Sequence, residues 1–323
     1  MTDLAMIRAA AARLHGHVRR TPLLSSPFLD QIAGRRVWVK AECLQHTGSF
    51  KARGGWAAVS ALAPEALARG VIAYSSGNHA QGVALAAARH GAPCVIVMPA
   101  DAPRLKIANT RALGAEVVLY DRATEDRDAI GSGLAAARGL SLIKPFDDAQ
   151  VIAGQATCGL EIAQQATAEA IEKADVLVCC GGGGLTAGIA LALEGTGFRA
   201  RPCEPEGFDD TARSLALGVP QRNARLTGSI CDAIITPEPG KLTFPILRRL
   251  CGPGLVVSDD QALHAMALAF SRLKLVLEPG GAVALAAALF LPDQISGPDV
   301  IAVATGGNVD AATFATALSR FPV

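Results

Sequence analysis

Short apolar runs alternating with longer alanine-rich segments restrict the fold of this chain more than any other feature. The runs are "VWVKAEC" (37–43), "VIAYSS" (71–76), "CVIVMP" (94–99), "EVVLYD" (116–121), "SLIKP" (141–145), "DVLVCCG" (175–181) and "VIAVATG" (300–306). Between them lie segments such as 78–90, 103–113, 124–138, 149–168 and 259–274, whose apolar residues recur near the helical period of about 3.6. A strand apolar on both faces must be covered on both faces. Strands of this kind alternating with helices predict an α/β fold with parallel sheet flanked by helices. Of the 323 residues, 50% are hydrophobic and 18% charged, enough for a large core in one or two lobes and against disorder. No repeat period and no low-complexity tail interrupt the pattern.

A formal net charge of +1 gives no reason to expect nucleic acid or an anionic membrane as partner. The opening "MTDLAMIRAAAARLHGHVRR" is amphipathic and carries Asp3 and Arg8, which predicts a helix of the fold rather than a secretory signal. Eight cysteines occur without a C-x-x-C pair, several inside apolar runs, and read as reduced core residues of a cytoplasmic protein. From Val176 to Leu193 no residue is charged, about the length of a membrane span. Gly181–Gly184 interrupt it, so a strand, a loop and a buried helix are the better reading.

Ligands of such sheets sit beyond the carboxyl ends of strands. Three junctions there are unusual: "YSSGNHAQG", "CCGGGGLTAG" and "VATGGNVD". Gly181, Gly182, Gly183, Gly184 and Leu185 form a loop whose N–H groups can surround a phosphate at a helix N-terminus. Gly182-x-Gly184-x-x-Ala187 also fits a dinucleotide fingerprint, with Glu204 placed to meet a ribose, so an NAD-dependent oxidoreductase competes. In "SSGNH", Ser76 or Asn78 can cap a helix, or the loop can hold a carboxylate. In "TGGN", the Thr305 hydroxyl can meet a ring nitrogen or close a turn. Lys51, in "TGSFKARGG", opens a predicted helix whose positive end, with burial, would lower its pKa and make it a nucleophile for an aldehyde. Taken alone it reads as a solvated lysine.

In combination, "TGSFKARGG", "SSGNHAQG", "GGGGL" and "TGGN" resemble, in order and separation, the motifs of the fold type II pyridoxal-phosphate enzymes, closest to the threonine/serine dehydratase and serine racemase branch. The resemblance runs from "RTPLL" (20–24) to the C-terminal helix. It implies two open, mostly parallel sheets flanked by helices, the tryptophan synthase β-like arrangement. Residues 1–69 plus 148–323 would form a large cofactor-binding domain, and 70–147 a small one carrying the substrate loop. It implies that Lys51 carries pyridoxal 5'-phosphate and, once released, takes the α-proton. Phe50 would pack beside the ring, Asn78 bond its 3' oxygen, Gly181–Leu185 cup the phosphate and Thr305 face the ring nitrogen. Ser75, Ser76, Gly77, Asn78 and His79 would grip the substrate carboxylate, and Ser76 would exchange a proton on the opposite face in racemisation.

"EPEGFDD" (204–210) resembles the cation loop of the racemase branch, with Glu204, the Phe208 carbonyl and Asp210 as ligands. Hard oxygen donors of this kind suit Mg²⁺, Ca²⁺ or Mn²⁺. The activity implied is β-elimination from threonine or serine to a 2-oxo acid and ammonia, with serine racemase and 3-hydroxyaspartate dehydratase as alternatives. Arg127 falls near a position that can meet a second substrate carboxylate. Phe146 is more dehydratase-like than the asparagine of the mammalian-type racemase, and Ala233 replaces a family glycine. A homodimer is implied; feedback by isoleucine is not expected.

Overall fold

The computed structural model describes residues 2–75, 77–102, 104–121 and 123–322, without the side chains of Leu105 and Asp128. Among them the strands are β1 (Leu23–Ser25), β2 (Arg36–Lys40), β3 (Val71–Tyr74), β4 (Cys94–Pro99), β5 (Glu116–Tyr120), β6 (Ser141–Leu142), β7 (Ala174–Cys179), β8 (Phe198–Pro205), β9 (Leu255–Val257) and β10 (Asp299–Val303). They form a six-stranded sheet in the order β1-β2-β10-β7-β8-β9 and a four-stranded sheet in the order β5-β4-β3-β6. Only the β1–β2 pairing is antiparallel among these strands; the rest are parallel. The two sheets of the expected α/β fold are present. β4 and β10 are buried at every position, which is why their runs show no alternation.

The expected strands all form, β4 over its whole run and the others stopping short at their carboxyl ends. β8 escaped notice in the sequence because "FRARPCEP" carries two arginines and two prolines. Its Arg201 is nevertheless buried, bonded to Asp175 on β7 at 2.9 Å and to the Pro253 carbonyl at 2.9 Å. The segment 176–193 divides as expected into β7, a glycine loop and a helix Gly184–Ala192. Among the described residues no helix is long and apolar enough to cross a membrane. The opening segment is a helix, Leu4–Leu14, and all eight cysteines are buried and free.

Two local expectations are corrected. The 259–274 helix is α-helical only over Asp259–Leu268, then widens to a π turn at Ala269–Leu273 and ends with Lys274 at φ 60°. The Asn78–Arg89 helix has Gly77 as its N-cap with no capping side chain, so Asn78 is the first helical residue and its amide is used elsewhere.

The Lys51–Val59 helix lies buried between the Asn78–Arg89 and Ala149–Ala168 helices. Glycines permit these approaches. A Cβ at Gly55 would lie 2.7 Å from the Gly82 carbonyl oxygen, and one at Gly154 would lie 2.6 Å from the Arg53 oxygen. The Ala149–Ala168 helix is capped by Asp148, whose carboxylate accepts from the N–H groups of Gln150 and Val151.

Candidate active site

The segments following β3, β6, β7 and β10 line one cavity of about 660 Å³. It lies beyond carboxyl strand ends, where the fold type puts ligands. Phe50, Lys51, Ser75, Gly77, Asn78, His79, Gly181, Gly182, Gly183, Gly184, Leu185 and Thr305 all line it, so the four sequence motifs converge. Ser76 lies outside the described residues.

Lys51 is the first residue of its helix. The turn before it is tight: Thr47 and Gly48 have φ of 60° and 74°, and a Cβ at Gly48 would lie 2.6 Å from the Asn308 Oδ1. The Phe50 N–H donates to the Thr305 carbonyl at 3.1 Å, and the Gly307 N–H to the Gly48 carbonyl at 2.9 Å. The lysine segment is thereby stapled to the "TGGN" loop. Lys51 Nζ donates to the Pro145 carbonyl at 2.6 Å and stands 5.1 Å from the Phe50 ring centroid. Burial lowers its pKa to about 8. His79, across the cavity, is lowered to about 3 by burial and then by the charge of Lys51, so its ring is neutral. Its Nε2 bonds the Ile143 carbonyl at 2.9 Å.

The glycine loop ends β7 and starts the Gly184–Ala192 helix, with Gly183 at φ 87° as N-cap. The first N–H groups of a helix have no partner within it. The Gly182 carbonyl is drawn off by the Thr243 hydroxyl at 2.7 Å and the Gly240 N–H at 3.1 Å. Thr186 Oγ1 is buried against the Cys180 thiol, with no oxygen or nitrogen partner among the described residues, and Thr186 lines the cavity. Helix N-terminal N–H groups, a hydroxyl held only by a thiol and an amine in one cavity fit a phosphorylated aldehyde. Thr305 is buried beside Cys179, whose thiol its hydroxyl contacts.

Phe146 and Arg127, both singled out in the sequence, line the cavity, and so do Lys106, Asp232 and Glu278, which were not. Phe146 covers the glycine loop, since a Cβ at Gly182 would lie 2.3 Å from its ring. Lys106 lies along Gly77, and its Nζ is 3.8 Å from Asp232 Oδ2 on the opposite wall. Arg127 is exposed but does line the cavity. Glu278 is buried there, with Asn78 Nδ2 donating to its Oε1 at 2.5 Å. A signal existed for Glu278: it is the single acid in the apolar stretch 275–291, and buried acids need a reason.

Glu204, at the end of β8, and Asp210 interact away from the cavity, with Phe208 buried in the turn between them. Both Glu204 oxygens accept backbone N–H groups, from Thr211 at 2.9 Å and Ala212 at 2.7 Å. Fully buried, Glu204 presents no surface to a ribose hydroxyl, which removes the main support for the dinucleotide reading. Burial, and then Asp210, push its carboxyl well above the ordinary range. Among the described residues no group of three or more His, Cys, Asp or Glu side chains could hold a metal.

The chain matches the family model described as pyridoxal-phosphate dependent enzyme over residues 14–306. It is 42% identical over 315 residues to an L-threo-3-hydroxyaspartate ammonia-lyase from Pseudomonas sp, covering 96% of each chain. Among solved structures, a threonine deaminase from T.th. is 43% identical with a TM-score of 0.89, over 95% of this chain and 99% of that one. Serine racemase from Dictyostelium discoideum is 35% identical with a TM-score of 0.87, over 96% and 99%. A match of that extent, on a fold and a cavity of this kind, places the chain in the pyridoxal-phosphate dependent enzymes of fold type II, as a lyase-type member of their ammonia-lyase and racemase branch.

Proposed function

We propose that this enzyme releases ammonia from a β-hydroxy α-amino acid and leaves a 2-oxo acid. The eliminated water is returned in the closing hydrolysis. The observation that carries this reading is Lys51: a half-buried cavity amine, its pKa lowered to about 8 by desolvation, in the same cavity as the glycine loop. Pyridoxal phosphate, when bound, supplies the electron sink that makes the α-proton removable. Lys51 would hold it covalently and, when free, take that proton as general base. The helix N-terminus at Gly184–Thr186 would hold the phosphate, and Ser75, Gly77 and Asn78 the substrate carboxylate. Thr305 presents a neutral hydroxyl where a carboxylate would strengthen the sink, which favours elimination over transamination.

Serine and threonine fit this chemistry. 3-Hydroxyaspartate fits it with one more contact, because Lys106 lines the cavity beside Gly77 and Arg127 lines it further out. The Lys106–Asp232 pair is long, at 3.8 Å, and Asp232 is 58% exposed, so a substrate carboxylate can replace Asp232 as partner. The name of the Pseudomonas relative agrees with this second reading. Release of 2-oxo acid from L- and D-serine, threonine and the hydroxyaspartates tests both. Lys106→Met should lower kcat/KM for 3-hydroxyaspartate roughly tenfold more than for serine; equal losses would remove Lys106 from substrate choice. Loss of the visible cofactor band in Lys51→Ala is expected, and a colourless wild-type protein would sink the whole reading.

We also propose that Glu204, the Phe208 carbonyl and Asp210 hold a divalent cation. Two carboxylates share this buried place, and Asp210 Oδ2 has no hydrogen-bond partner among the described residues. A melting temperature raised by Mg²⁺, Ca²⁺ or Mn²⁺ after chelation supports it, and no response to any of the three opposes it. The two sheets support a division into residues 70–147 and the remainder (1–69 plus 148–323), which distinct hydrogen-exchange behaviour of the two sets would bear out.

A further inference from the structure

Asn78 sits in a chain of amides whose direction is set by a peptide carbonyl at one end. Its Nδ2 donates to Glu278 Oε1 at 2.5 Å. Its Oδ1 accepts from Asn308 Nδ2 at 2.7 Å, and the same Nδ2 donates to the Thr47 carbonyl at 2.8 Å. A peptide carbonyl can only accept, so the Thr47 carbonyl fixes the Asn308 amide with its nitrogen towards Thr47 and Asn78. A flip of Asn308 would set oxygen against the Thr47 oxygen, and a flip of Asn78 would set nitrogen against the Asn308 nitrogen. Asn78 therefore keeps one N–H unspent, on a residue that lines the cavity.

Glu278 is 2% exposed and its Oε2 has no hydrogen-bond partner among the described residues. Its own N–H donates to the Gly306 carbonyl at 3.0 Å, and a Cβ at Gly306 would lie within 2.1 Å of its Oε1. Gly306 is thus the opening through which the carboxylate reaches Asn78. Burial raises the Glu278 carboxyl above the ordinary range, against the lowering effect of Lys106 and of the Asn78 hydrogen bond, and Asp232 adds to the rise.

We propose that Glu278 is a positioning residue, which with Asn308 orients the Asn78 amide so that it offers the cofactor ring a hydrogen-bond donor and never an acceptor. This rests on the reading of Asn78 as the partner of the ring's 3' oxygen. The two ends act differently. Glu278 holds the nitrogen by accepting from it, and Asn308 holds the oxygen by donating to it. Glutamine at 278 can still accept from Asn78, whereas alanine cannot.

The test uses purified holoenzyme and reads the visible spectrum across pH together with the half-time of cofactor loss on dialysis. Far-UV circular dichroism confirms that each variant is folded. Glu278→Ala should shift the pH dependence of the band and release cofactor roughly tenfold faster, the effect of one well-placed hydrogen bond. Glu278→Gln should restore most of both. Asn308→Ala, at a half-buried position, should shift the band in the same sense if Glu278→Ala does not fold. Adding Glu278→Ala to Asn78→Ala should change neither readout further. Wild-type behaviour in Glu278→Ala and Asn308→Ala overturns the proposal. So does a Glu278→Gln as impaired as the alanine variant, which would assign the effect to charge. An unchanged spectrum in Asn78→Ala sinks the underlying reading of Asn78, while cofactor binding through Lys51 would still stand on its own spectrum.

Discussion

At the scale of single residues, Lys51 shows what burial does to an amine. The sequence placed it at a helix start, and the expectation was that the helix end and burial together would lower its pKa. Burial alone is the cause found in the structure. A neutral amine attacks an aldehyde and an ammonium does not. In apoprotein stripped of cofactor, the rate of pyridoxal phosphate uptake should rise about tenfold per pH unit below 8 and level off above it. Stopped-flow absorbance measures this; a rate still climbing steeply towards pH 10 would show an amine with the solvated value. His79 adds nothing to the profile near neutrality, because its pKa of about 3 leaves it uncharged.

At the scale of elements, the site depends on how closely two helices cross. Gly55 on the lysine helix meets Gly82 on the Asn78–Arg89 helix, and a Cβ at Gly82 would lie 2.7 Å from the Lys51 carbonyl oxygen. That oxygen is backbone and cannot step aside. Gly82→Ala should cost about 1–3 kcal/mol in stability. It should also loosen the cofactor, because the helix bearing Lys51 would be pushed from the helix bearing Asn78 and His79. Urea denaturation with cofactor-release kinetics checks both, and a variant as stable as wild type would show that the crossing relaxes freely. The sequence displayed Gly55 and Gly82 inside helical patterns, where glycine costs up to about 1 kcal/mol each. That cost signals a close approach without saying to what.

At the scale of the whole molecule, a buried charge network joins the chain's early segment to its middle. Arg53, fully buried, donates to Glu42 at 2.8 Å and to Glu161 at 2.7 Å; Lys40, also fully buried, donates to Glu161 at 2.6 Å. Burial by itself would raise the Glu42 carboxyl, but Arg53, Lys40 and Thr21 together outweigh it and hold the value below the ordinary 4.5. A carboxyl lowered on folding stabilises the fold above its unfolded value and loses that contribution as pH falls through the folded one. Wild-type stability should therefore decline on acidification below pH 4.5. Arg53→Met leaves Glu42 buried without its main partner and should cost about 3–5 kcal/mol at neutral pH. Denaturation at pH 7 and pH 5 measures it: the variant should recover part of the loss at the lower pH, where Glu42 protonates, and an unaltered midpoint would show the network to be dispensable.

From the sequence alone, the class of fold, the strands and helices that carry the site, the three motifs at strand ends and the lysine motif at a helix start could be read. These follow from local chemistry: apolar runs, helical spacing and glycine at turns act through neighbours in the chain. What the tertiary structure decided is who meets whom. Glu278 stands 200 positions from Asn78, and Asn308 stands 230 from it, yet together they orient one amide. Lys106 and Asp232 face each other across the cavity from separate parts of the chain. β8 is a strand despite its charges because Arg201 finds Asp175 and backbone carbonyls in the packed sheet. The desolvation of Lys51 is likewise a property of everything packed around it, since a pKa depends on the surrounding medium and not on the adjacent letters.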